Sequence, residues 1–114
     1  MAGGRLTVAA LAALALIAGS AAAAAHHCDD DAIQRATPLL KLHFEADDIE
    51  NLAIGDEVNE LAPIRALKGK GKFDVLEVWG YIYKAEYRMR FIYAQIPDEC
   101  VLMGQEIIEA SDPY

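Results

Sequence analysis

The chain is poor in the side chains that most catalysis needs. Serine occurs only at positions 20 and 111, and there are three histidines and two cysteines among 114 residues. Covalent and acid–base catalysis need a nucleophile beside a base, a tuned carboxylate pair, or a metal with an open coordination position. Ser111 lies near the C-terminus with no motif around it, and His43 stands alone beside Phe44. This scarcity argues against an enzyme. Positive charge is also short: 10 Lys and Arg face 18 Asp and Glu, a formal charge of −8. Nucleic acids and anionic membranes are bound by basic surfaces, so neither is an expected partner, and a cationic partner fits better. Long hydrophobic runs are lacking too. The longest, Leu6 to Ala18, falls short of the ~20 residues that span a bilayer as a helix.

That run does have the order of a secretory leader. Arg5 is the lone cation before it, Gly19 and Ser20 follow, and Ala21 to Ala25 offers small side chains to a signal peptidase. Residues 1–25 therefore read as a cleaved signal peptide and 26–114 as one small domain without a membrane anchor. The expected location is the periplasm, with the extracellular medium as the alternative. Loss of Arg5 makes the remaining chain one unit more acidic. In an oxidising compartment the two cysteines, Cys28 and Cys100, have one intramolecular pairing open to them. Closing a loop of roughly 70 residues this way stabilises a fold by about 4 kcal/mol in the chain-entropy account.

The expected fold is α+β: an N-terminal helix packed on a small antiparallel β-meander of three to four strands, with one disulfide. Asp29, Asp30 and Asp31 open an apolar-periodic stretch through Ile33, Ala36, Leu39, Leu40 and Phe44, which predicts a helix over about 30–42, with Pro38 as its irregularity. Residues 45–60 carry Glu45, Asp47, Asp48, Glu50, Asp56, Glu57 and Glu60 with no Lys or Arg. They lack the ligand ladder of an EF-hand and read as an acidic connection turning at Gly55-Asp56. A strand from Val58 to Leu67, bent at Pro63, suits a sheet edge. Lys68-Gly69-Lys70-Gly71-Lys72 is a turn rather than a phosphate loop, because strands flank it on both sides. Strands then follow over 73–83, 87–96 and 100–109, with connections too short for parallel neighbours.

A two-residue turn at Ala85-Glu86 predicts Ile82 opposite Met89, Gly80 opposite Phe91 and Val78 opposite Tyr93. A three-residue loop at 97–99 then sets Met103 against Tyr93 and Ile107 against Met89. Leu76, Val78, Ile82, Met89, Phe91 and Tyr93 fall on one face, the expected core. The other face receives Glu77, Trp79, Tyr81, Tyr83, Arg88, Arg90 and Glu106, with Tyr81, Arg90 and Glu106 in one row and Tyr83 beside Arg88.

That second face is the candidate binding surface, with Trp79, Tyr81, Tyr83, Arg88, Arg90 and Glu106 as its residues. Exposed Trp and Tyr stack on sugars or anchor proteins, and Arg forks grip carboxylates. Size, a single bridge and a strand-rich second half are shared with small exported inhibitors and binding modules, a likeness of architecture carried by no motif. The expected function is a non-catalytic exported binding protein with a protein or carbohydrate partner in the envelope, for instance an inhibitor of a cationic envelope enzyme. A different class rests on His26 and His27. Cleavage after Ala24 or Ala25 leaves them beside a free amine, a donor set that suits Cu(II) or Ni(II). No other cofactor is expected. A third reading is an accessory structural envelope protein.

Overall fold

A computed structural model describes residues 25–112. The leader assigned to 1–25 lies, but for its last residue, outside the described residues. Among these, no helix is long and apolar enough to cross a membrane.

The helix, α1, spans Asp29–Phe44 and runs unbroken through Pro38. Three aspartates in its first turn sit at the positive end of the helix dipole. Glu45 ends it in the left-handed region at φ 52°, and the N–H groups of Glu45 and Ala46 donate to the carbonyls of Leu42 and Lys41. This is the paired C-terminal closure that usually recruits glycine. Ala32, Ala36, Leu39 and Leu40 form its buried stripe, one side of the helix at three- and four-residue spacing.

Four strands follow: β1 (Leu52–Arg65), β2 (Lys72–Ile82), β3 (Ala85–Ala94) and β4 (Leu102–Glu109). They form one antiparallel sheet in the order β1-β2-β3-β4. The architecture is the expected one, a helix on a disulfide-linked meander. β1 begins earlier than expected and is an edge strand, as Pro63 suggests. Gly55-Asp56 is not a turn between elements but part of a ladder break between Ile54 and Val58, and a second break falls between Leu61 and Ile64 around Pro63.

The β2–β3 register differs from the expected one. The tight turn is Tyr83-Lys84, with Tyr83 at φ 55°, and not Ala85-Glu86. Val78 faces Met89, Gly80 faces Tyr87 and Leu76 faces Phe91. Against the expected pairing β3 is displaced by four residues. An even displacement keeps every side chain on its face, so the core survives the error. Gly80 is covered by Met89 and Leu40 rather than Phe91: a Cβ there would lie 2.9 Å from Met89 Cε and 3.0 Å from Leu40 Cδ1. Ile107 does face Met89, but a bulge opposite Ile92/Tyr93 puts Leu102, not Met103, against Tyr93.

The core lies between α1 and the inner face of the sheet. Leu76, Val78, Met89, Phe91 and Tyr93 are fully buried there with Cys28, Ala32, Ala36 and Leu40, and Ile82 packs against them. The Cys28–Cys100 disulfide ties the start of the helix to the segment leading into β4. Tyr93 carries a hydroxyl into this core and donates it to Asp31 Oδ2 at 2.7 Å. Burial, then that bond, pushes the phenol far above its ordinary range.

Candidate functional site

Among the described residues, the outer face of the sheet has no covering layer. Its centre is a cross-strand row: Glu77 on β2 faces Arg90 on β3, which faces Glu106 on β4. The displaced register puts Glu77 where Tyr81 was expected. Arg90 Nε donates to Glu77 Oε2 at 3.1 Å, and the Trp79 indole N–H donates to Glu77 Oε1 at 3.2 Å. Glu77 is thereby only 8% exposed on a face that no described residue covers as a layer. Arg88, beside Trp79, brings Nε to 4.0 Å from Glu77 Oε2 and Nη2 to 3.8 Å from Glu106 Oε1, while Arg90 Nη1 lies 3.6 Å from the same oxygen. Two guanidinium groups thus share two carboxylates, closely only where Arg90 meets Glu77. The Nε of Arg88 is sealed from solvent without a hydrogen-bond partner among the described residues. Such a donor is a cost unless a rearrangement or a partner satisfies it.

Of the expected binding residues, the structure brings together Trp79, Arg88, Arg90 and Glu106. Tyr81 lies farther along β2 opposite Glu86, and Tyr83 sits in the turn, 76% exposed with Lys84 Nζ 5.4 Å from its ring centre. Neither joins the cluster, and Tyr83 is not beside Arg88. Glu77, its centre, was not among the expected site residues. The signal for it is a carboxylate in the middle of the apolar strand Val75-Leu76-Glu77-Val78-Trp79. On the same face Val75 is buried outside the core, between Leu61 on β1 and Ile92 on β3.

A second group of polar side chains gathers at the start of the helix. His26 Nδ1 accepts the Cys28 backbone N–H at 3.0 Å, so in the neutral ring Nε2 carries the proton and donates it to Asp74 Oδ2 at 2.9 Å. Burial pushes the Asp74 carboxyl up, but hydrogen bonds from His26 and Gln95 outweigh it and hold it below its ordinary range. His27 Nε2 donates to the Glu99 carbonyl at 2.9 Å, and the two imidazoles stack. His43 packs by its edge against Phe44 and Tyr87.

These contacts bear on metal binding. His26, Glu60 and Asp74 hold ligand atoms within 4.8 Å of one another, and so do His26, His27 and Cys28. Cys28 is disulfide-bonded and offers no thiolate. A metal on His26 Nε2 would send the ring proton to Nδ1, facing the Cys28 N–H, donor against donor. Chelation through the backbone amide of His26 would forfeit its bond to Asp29 Oδ2 at 3.1 Å. Each route breaks a contact the fold already makes.

The fold and this outer face define a disulfide-linked helix-on-meander domain with one open sheet surface. Compared with known proteins, the chain matches no family, no curated protein and no solved structure.

Proposed function

We propose that the chain is a small exported, non-catalytic binding protein of the periplasm that takes up a protein partner on the open face of its sheet. The carrying observation is the cluster of Trp79, Arg88, Arg90 and Glu106 fixed around nearly buried Glu77 on a face that the described residues leave without a covering layer. Its side chains are held by cross-strand bonds, so little rotamer entropy is left to lose on association. Arg and Trp are also the residues that most often dominate protein interfaces. The acidic chain favours a basic partner, and a cationic envelope enzyme held in check by occlusion is the version that charge supports. The periplasmic location rests on the alanine-rich leader alone. With both ring nitrogens of His26 committed, that histidine has no lone pair to offer a substrate proton.

The test is capture of envelope proteins on the immobilised mature chain, followed by binding measurements with the purified captured protein. Trp79→Ala and Arg90→Ala should each weaken binding at least about tenfold, as expected of interface anchors. Leu42→Ser, on the exposed part of the helix, should not. Unchanged binding by correctly folded Trp79→Ala and Arg90→Ala would reject the outer face as the contact surface.

A further inference from the structure

The two edges of the sheet are built differently. β1 is broken twice, contains Pro63, and exposes Asp56, Glu57 and Glu60. These are devices that keep an edge from pairing with another chain. From Gly104 to Glu109, β4 has neither a ladder break nor a proline, and of these devices it keeps only the exposed carboxylates Glu106 and Glu109. It contains no proline, lysine or arginine, its one ladder break lies at its start, and Met103 and Ile108 are 53% and 50% exposed. Beside it the helix stops short of covering the inner face. An open groove of about 380 Å³ remains there, lined by α1 residues from Asp31 to Leu42, Leu39 among them, and by Gln105 of β4. Leu42 is 69% exposed above it.

We propose that a second copy of this chain fills this place: two molecules pair antiparallel through β4, about a two-fold axis at Gln105, and join their sheets into one. Directly opposed residues in an antiparallel pair share a face, so a two-fold axis must pass between two copies of the same residue. The two positions nearest the centre of Leu102–Glu109 are Gln105 and Glu106. An axis at Glu106 would set two carboxylates against each other, which destabilises a strand pair. An axis at Gln105 opposes two side-chain amides that have no hydrogen bond within the described residues and can bond to one another. It also sets Glu106 opposite Gly104 and Ile107 opposite Met103, so Glu106 meets no carboxylate. The added strand runs about 4.8 Å beyond β4. There its Met103 and Ile107 cover their counterparts and close the groove beneath Leu39 and Leu42. The open outer face becomes continuous across the dimer.

Sedimentation equilibrium of the disulfide-intact chain tests this. Wild type should be a dimer. Gln105→Lys and Gln105→Glu, each placing like charges on the axis, should be monomeric at concentrations where wild type is dimeric. Their equimolar mixture should dimerise again, because lysine then opposes glutamate. Gln105 is exposed, so circular dichroism should be unchanged in both variants, and their melting should match that of wild type diluted to where it is monomeric. A monomeric wild type overturns the proposal, including one that binds a foreign extended peptide at β4. So does a single variant that dimerises like wild type, or a mixture that stays monomeric.

Discussion

The two faces of this sheet are written by alternate residues of the same strands, yet they are buried by different means. On β2, Leu76 and Val78 point inward and are sealed by the helix, whereas Val75 and Glu77 point outward and are sealed only by their lateral neighbours. A layer closes the inner face. Cross-strand packing and two arginine–glutamate contacts close the centre of the outer one. Burial of a residue in a sheet therefore does not require a second layer over it. The difference lies in what surrounds the buried atom. Inside it is close-packed hydrocarbon on every side, and outside it is a fence of long polar side chains with water beyond.

The largest effect should come from the tie that closes the inner layer. Replacing Cys28 and Cys100 together by alanine should lower stability by about 4 kcal/mol, read as a fall in the denaturant midpoint. Trp79 fluorescence, an outer-face probe, should shift together with the helical circular dichroism signal. Two separate transitions would show that the faces are not one cooperative unit. Next come adjacent residues on opposite faces. Leu76→Ala should cost about 2–5 kcal/mol, since it leaves a cavity under the helix. Val75→Ala should cost only about 1–2 kcal/mol, close to the value of the methyl groups removed, because its surroundings can relax. Equal losses would erase the distinction between the faces. Smaller in its consequences for the fold as a whole is Glu77→Gln. It leaves Arg90 Nε with a poorer acceptor and should cost about 1 kcal/mol, less of it at high salt.

Which residues share a face was legible because side chains alternate along a strand, and that alternation tolerates any even error in register. The register itself was not. Neither Ala85-Glu86 nor Tyr83-Lys84 has a residue that prefers a positive φ, so local turn preference could not choose between them. The choice follows from Met89 and Leu40 filling the space over Gly80, contacts between segments far apart in sequence. The same displacement separates Tyr81 and Tyr83 from the arginines and puts Glu77 among them. The helix was legible from its aspartates and apolar spacing. Its passage through Pro38 depends on Leu39 and Leu40 being buried just beyond it. The commitment of His26 to Asp74 joins residues 48 apart in sequence and had no local signal.

Acid should separate the layers by a gentler route. Burial raises the Asp31 carboxyl, but hydrogen bonds from Arg35 and Tyr93 and the guanidinium charge outweigh it, so its pKa lies below the ordinary value, as does that of Asp74. A carboxyl whose pKa is lower folded than unfolded binds protons less readily when native. Its stabilisation is present above the unfolded value of about 4 and is lost as pH falls through the folded one. Both aspartates hold the inner layer together, Asp31 through Tyr93 and Asp74 through the segment before the helix. The denaturant midpoint should therefore fall as pH is lowered below about 4, and Asp31→Asn should flatten that fall while lowering the midpoint near neutrality. Arg35 and Asp31 are each partly open to water, so the change should be the smallest of the series. An acid limb as steep in Asp31→Asn as in wild type would show that Asp31 does not carry the pH dependence.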